Sequence, residues 1–284
     1  MKNIKIFQID AFTKKPFEGN SAGVAFAENL TEEEMQKIAR EMNVAETAFL
    51  SESTEADYNL RWFTPTVEVN LCGHATIASL HFLHENNLIK DNSEVSFKTL
   101  SGILNCGMKD GQYFMQIPIY SLNEFNRSKK EIIEALGIKK DELAESVPFI
   151  IAENNYLYIY LKTLDSLGKV RPDFNALMNL SNEFDCIALF TLETIEKESF
   201  AHGRFFAPAY GINEDPVTGS MNGPLILVLH KLGFIKGNDD FKLIFEQGDF
   251  IKRSGRVTVV YSPKRKQLYI SGNAVTVLKG AISF

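Results

Sequence analysis

The sequence predicts an α/β chain, of the α+β type, made of two related lobes. The first observation is a repeat. Arg61-Trp62-Phe63-Thr64-Pro65, followed by Leu71-Cys72-Gly73-His74-Ala75-Thr76, has a second copy in Arg204-Phe205-Phe206-Ala207-Pro208, followed by Glu214-Asp215-Pro216-Val217-Thr218-Gly219-Ser220. Arg61 and Arg204 are 143 residues apart, Gly73 and Gly219 are 146 apart, and the second offset persists through His84 and His230 and through Ile89 and Ile235. A match this long in 284 residues means duplication. The second observation is that β-rich runs and runs of helical period share the chain. The third is an apolar content of 45 %, with 22 phenylalanines, enough for full cores.

The elements follow in order. Residues 4–12 are β-rich and lead into a turn marked by Pro16, Gly19 and Asn20. Thr31-Glu32-Glu33-Glu34 has the spacing of a capping box, and Met35, Ile38, Ala39 and Met42 then recur at helical period. Short strands are expected at 48–50 and 58–63. A helix should begin near His74, run to about Glu85 and bury Ile77 and Leu80. Strands should follow at 94–99, 102–106 and 113–117. Residues 118–127, with Pro118, Asn123 and Asn126, read as a linker. Ser128-Lys129-Lys130-Glu131 repeats the capping-box spacing and Gly137 is a helix stop. The second lobe then offers strands at 156–161 and 186–192, a short helix at 174–180 and a long helix at 219–232. Its later strands are expected near 242–246, 256–261, 267–271 and 275–284. The lobes are expected at 1–120 and 121–284, with the last strand returning to the first.

Composition excludes several functions. A net charge of −6 is wrong for a nucleic-acid surface, and Lys264-Arg265-Lys266 reads as a solvated turn. Three scattered cysteines, Cys72, Cys106 and Cys186, form no disulfide or metal pattern and suit a reducing compartment. The first residues lack the apolar core of a signal peptide and no apolar run spans a membrane, so a cytoplasmic location is expected.

Chemistry concentrates at the two glycine-led turns. The first N–H groups of a helix lack intrahelical partners, and a helix N-terminus favours negative charge. Two such ends facing one pocket would hold a carboxylate and stabilise an enolate. His74 at the first helix start is expected to be neutral, its pKa lowered by the helix dipole. His81 and His84 share that helix, but no His-Glu-x-x-His pattern is present and no metal is expected. Asp215, held extended by Pro216, offers an acceptor for an ammonium or hydroxyl; ordinary complementation of the dipole is the alternative. Glu46, in Asn43-Val44-Ala45-Glu46-Thr47-Ala48-Phe49, has small and apolar neighbours of the kind that desolvate a carboxylate and fit it for proton transfer. Cys72 stands where a helix start favours a thiolate, against a buried structural role. Its repeat partner is Thr218, too weak an acid for a two-thiol racemase.

Five motifs in order now show a resemblance. Asp10-Ala11-Phe12-Thr13 through Gly19-Asn20, Ala45-Glu46-Thr47-Ala48-Phe49, Arg61 to Pro65, Cys72 to Thr76 and Glu214 to Ser220 together resemble the PhzF family of phenazine-biosynthesis-like isomerases. The resemblance covers nearly the whole chain. It implies a fold similar to diaminopimelate epimerase: two pseudo-symmetric lobes, each a mostly antiparallel sheet or open barrel on a central helix, with the site between them. It implies that Glu46 is the acid/base, that His74 and Asp215 act with it, and that Asn20 and Ser220 bind substrate. It also implies that the backbone at Gly73 and Gly219 cradles a carboxylate, that no cofactor or metal is used, and that the protein is a homodimer. Ser21 departs from the Pro common in the family after Gly-Asn, and Met221-Asn222 depart from the usual small-then-polar pair. The phenazine precursor is therefore not assumed as substrate.

The expected function is cofactor-independent isomerisation of a small carboxylate by proton transfer at Glu46. The alternatives are a non-catalytic small-acid binder, an epimerase or racemase of an amino or hydroxy acid, and, more distantly, a hydrolase using Cys72.

Overall fold

A computed structural model describes residues 1–284. The chain divides into two compact units, Met1–Gln116 with Tyr269–Phe284, and Ile117–Leu268.

The first unit is built on strands β1 (Asn3–Ala11), β2 (Asn20–Phe26), β3 (Glu46–Glu52), β4 (Tyr58–Phe63), β5 (Glu68–Val69), β6 (Glu94–Thr99), β7 (Gly102–Lys109) and β8 (Gln112–Ile117). Helix α1 (Glu32–Met42) lies between β2 and β3 in sequence, and α2 (Gly73–Glu85) between β5 and β6. β1 runs antiparallel to β2, β2 parallel to β3, and β3 antiparallel to β4. β4 takes β5 antiparallel and β6 parallel, and β6 to β8 continue as an antiparallel meander.

The second unit repeats this order with β9 (Leu122–Phe125), β10 (Phe149–Ala152), β11 (Tyr156–Tyr160), β12 (Cys186–Thr191), β13 (Ala201–Ala207), β14 (Ile212–Asp215), β15 (Phe241–Gln247) and β16 (Gly255–Ser262). Its helices are α3 (Lys129–Leu136), α4 (Leu164–Lys169), α5 (Phe174–Met178) and α6 (Gly219–Lys231). β10 runs antiparallel to β11, β11 parallel to β12, and β12 antiparallel to β13. β13 takes β14 antiparallel and β15 parallel, and β15 pairs antiparallel with β16. Each unit is thus a mostly antiparallel sheet with the same two parallel joints. β17 (Gln267–Gly272) carries the chain back, and β18 (Ala274–Ser283) lies antiparallel on β1 from Asn3↔Ser283 to Ala11↔Ala274.

The central helices explain the repeat physically. α2 and α6 are both 13 residues long and begin at the paired glycines. α2 packs on β1, β2, β3 and β18, and α6 on β9, β11 and β16. Neither helix has a polar face: Ile77, Leu80 and Leu83 of α2, and Leu225, Ile226, Val228 and Leu229 of α6, are all fully buried. The repeated arginines brace the strands beside these helices. Arg61 grips Glu68 at 2.6 Å and lies 5.1 Å over the Phe63 ring; Arg204 grips Glu214 at 2.8 Å and lies 5.0 Å over Phe206.

Several local expectations need correction. Residues 118–127 contain β9, which pairs with β10 from Leu122↔Ala152 to Phe125↔Phe149, so the stretch is not a plain linker. Ser128 does not form a capping box: its φ is +44°, and its hydroxyl donates to Glu183 at 2.6 Å. The box at Thr31 is present in full, with Glu34 N–H to Thr31 Oγ1 at 3.2 Å and Thr31 N–H to Glu34 Oε2 at 2.8 Å. β14 and α4, 4 and 6 residues long, carry too little periodicity to stand out in the sequence. No helix is long and apolar enough to cross a membrane.

Candidate active site

In the first unit three sequence-selected residues converge. Glu46 opens β3, where its neighbour across the parallel joint is Ala22. The two strands approach closely there: a Cβ on Gly23 would lie 2.7 Å from Thr47 Oγ1. His74 is the second residue of α2 and is buried. Its Nε2 lies 3.2 Å from Glu46 Oε2, and its Nδ1 lies 3.5 Å from Cys72 Sγ. The Glu46–His74 approach is close but poorly aligned. Glu46 Oε2 and His74 Nε2 both remain buried without a proper hydrogen bond.

Asn20 opens β2 and is 1 % exposed. It lies two residues before Ala22, so it belongs to the face of the strand that carries Glu46's neighbour. The turn leading to it requires glycine at position 19, where φ is +65° and a Cβ would meet the Ala11 carbonyl oxygen at 2.2 Å.

The charge states differ from the sequence expectation. Burial works against charge on His74, but the Cys72 sulfur and the Glu46 carboxylate outweigh it and hold its pKa well above 6.5, not below. Cys72 is itself a thiol rather than a thiolate. Desolvation, with the Glu46 charge beside it, pushes its pKa up to about 11 against the opposing influence of His74. Burial therefore overrides the helix-start effect at both residues.

Glu46, Cys72 and His74 offer donor atoms within 4.8 Å of one another, a distance compatible with a shared metal ion. The ring geometry favours a chain over a ligand set. His74 turns Nδ1 to the sulfur and Nε2 to the carboxylate, and these nitrogens diverge across one imidazole, so a single ion could take only one of them.

In the second unit Asp215 closes β14, buried, and Thr218 is the N-cap of α6. Thr218 Oγ1 donates to Asp215 Oδ2. The sequence did not single out Gln247, which ties this corner together. Its Oε1 accepts from Thr218 N–H at 3.0 Å and from Asn222 Nδ2 at 2.6 Å, and its Nε2 donates to the Asp215 carbonyl at 2.8 Å. No local motif marks Gln247; it reaches the turn because it ends β15, whose parallel pairing with β13 sets it opposite Gly203. Asn222, noted above as a departure, belongs to the same network through its bond to the Thr218 carbonyl at 2.9 Å. Gly219 is buried at the first position of α6 and Ser220 follows, half-buried, beside the Tyr156 hydroxyl. Pro224 has no N–H to give the Ser220 carbonyl, which leaves that oxygen without its intrahelical bond.

A phenazine biosynthesis-like protein model (PhzC-PhzF) matches residues 9–280. The chain belongs to the PhzF family. An uncharacterised isomerase of Clostridium acetobutylicum is 40 % identical over 302 residues, covering 99 % of both chains. The crystal structure of a PhzF family protein of Bacillus anthracis superposes with a TM-score of 0.92 at 33 % identity, covering all of both chains. A hydroxyproline epimerase of Agrobacterium vitis, solved with trans-4-hydroxy-L-proline, shares the fold at a TM-score of 0.60 and 12 % identity, covering 99 % of this chain and 92 % of its own. The enzyme class of this PhzF family chain is isomerase, the class for which its relatives are named.

Proposed function

We propose that the protein isomerises a small carboxylate by moving a proton with Glu46, without a resident cofactor. One observation carries this reading. A carboxylate and an imidazole lie 3.2 Å apart in a buried setting, and neither facing atom has an aligned partner. Buried polar atoms are usually satisfied, so an unsatisfied pair suits a substrate atom that completes it.

The roles follow from charge. Glu46 takes a proton from a carbon made acidic by the neighbouring carboxylate and returns it at another carbon. His74, holding its proton, stabilises the negative charge that develops on the intermediate, and the N–H groups at the start of α2 add to this. Asp215, Gly219, Ser220 and Asn20 bind the substrate. Thr218 in place of a second thiol favours a single base over two-base racemisation. The homodimer implied by the family resemblance belongs to this reading, and sedimentation equilibrium tests it.

The deciding experiment incubates the protein in deuterated water with panels of amino, hydroxy and unsaturated acids and follows carbon-bound protons by NMR. Deuterium should enter one substrate, and Glu46→Gln should abolish its entry. Saturable binding of acids with no exchange at any pH would assign the chain to binding instead of catalysis.

A further inference from the structure

An N-cap residue ordinarily turns its side chain onto the free N–H groups of the first helical turn. Neither central helix follows that pattern. Cys72 caps α2 and Thr218 caps α6, and neither side chain makes a capping hydrogen bond. Each is turned to a neighbouring side chain instead, Thr218 Oγ1 to Asp215 and Cys72 Sγ to His74 Nδ1. The Ala75 N–H also reaches toward the Cys72 sulfur and draws its pKa down slightly. Both units thus leave the helix start without a side-chain cap, although the partner differs: Cys72 meets the residue two positions after it and Thr218 the residue three positions before it.

We propose that Cys72 is a positioning residue that keeps a proton on His74 Nε2, the nitrogen that faces Glu46, in both charge states of the ring. A thiol suits this because sulfur is a weak acceptor and S–H a weak donor. With His74 charged, Nδ1–H donates to Sγ. When Nδ1 releases its proton, the S–H bond rotates and donates into the vacated nitrogen lone pair. Cys72 keeps its own proton throughout, and no proton passes between the two side chains. The ring therefore titrates at Nδ1 without turning over, and Nε2–H stays in place 3.2 Å from Glu46 Oε2. The groups that bear on the His74 ring are Cys72 at Nδ1 and Glu46 at Nε2.

The catalytic consequence rests on the isomerase reading, but the tautomer does not, and the test separates them. Protein labelled with 15N at histidine is titrated by NMR, with His74→Asn identifying the resonances. Neutral His74 should be the Nε2–H tautomer in the parent and in Cys72→Ser. Cys72→Val fills the space without a donor and should show a tautomer mixture. If exchange into substrate is found, Cys72→Val should lower kcat roughly tenfold to a hundredfold with little change in KM, and Cys72→Ser should restore most of it. An Nδ1–H tautomer in the parent overturns the proposal without any variant. A pure Nε2–H tautomer in Cys72→Val overturns it as well. A parent with the expected tautomer but no exchange would sink the isomerase reading and leave the role of Cys72 standing.

Discussion

Glu46 and Cys186 occupy the same place in the two copies of the fold. Glu46 opens β3, where the next residue, Thr47, pairs with Phe63. Cys186 opens β12, where the next residue, Ile187, pairs with Phe206. Phe63 and Phe206 are repeat partners, and Ala22↔Glu46 corresponds to Tyr156↔Cys186 across the parallel joint. One copy thus carries a carboxylate and the other a thiol that burial pushes well above its ordinary pKa. The proposed base has diverged from a position that needs no acid to fold. Glu46→Gln should therefore still fold cooperatively, giving up only the stability of its pairing with His74, while lowering exchange by about 10²–10⁴-fold, and Cys186→Ala should leave exchange within about threefold of the parent. Parallel melts and deuterium-exchange rates measure both; equal loss of activity in the two variants would reject the asymmetry.

His74 should stay protonated well above pH 6.5, because the Cys72 sulfur and the Glu46 carboxylate together outweigh the cost of burying the charge. A raised folded-state pKa means the pairing stabilises the fold fully below about pH 6.5, and the contribution fades as pH rises through the folded value. Glu46→Gln removes the charge and should bring the His74 titration down. The histidine spectrum across pH reads this directly, and a His74 midpoint at or below 6.5 in the parent would contradict it.

Glu246 anchors the other buried charge cluster. Burial opposes its charge, but His202 Nδ1 at 2.9 Å, the N–H groups of Ile195 and Glu196 at 2.8 and 2.7 Å, and Arg256 bring its pKa down to about 2. The folded value is depressed, so this stability is present above about pH 4.5 and is lost as pH falls toward 2. The full contribution is on the order of 3 kcal/mol. Urea midpoints at pH 6, 4 and 3 should fall steeply in the parent and more shallowly in Glu246→Gln, which starts lower.

Gln247→Leu should be among the most damaging single changes in the second unit. It removes the Gln247 partner of Thr218 N–H and of the Asp215 carbonyl in a buried corner, and leaves Asn222 Nδ2 with only the Thr218 carbonyl. A loss of roughly 2–4 kcal/mol is expected from unsatisfied groups of this kind. Gln247→Glu keeps the acceptor but loses the amide donor, and should fall between the two. Chemical denaturation ranks the three, and near-equality of Leu and parent would show that the network does not hold the turn.

The duplication was legible because it is written in local sequence: paired Arg-x-Phe-x-Pro strands and glycine-led helices survive as strings. Helix α1 was legible because Thr31 and Glu34 cap it within four residues. The same spacing at Ser128 misled, since a capping box needs extended backbone at the cap and Ser128 is left-handed. What the sequence did not contain is the company its residues keep. Glu46 and His74 meet across 28 positions, and this influence on the charge of His74 is invisible without that contact. Local reasoning saw a helix start and expected a neutral ring; the tertiary pairing reverses it. Gln247 escaped for the same reason, because its role is set by four groups that lie 25 to 32 residues before it.

The pairing of β18 with β1 fixes the order in which this chain can mature on a ribosome. The second unit is one continuous stretch, Ile117–Leu268, and all its residues are synthesised before β18. The first unit begins earlier, yet its opening strand, already paired with β2, receives its second partner only after the whole second unit has been made. The unit that holds Glu46 and His74 is therefore finished last. A nascent or truncated chain lacking β18 would carry every residue of the proposed proton-transfer site and still have no completed sheet on which to hold it.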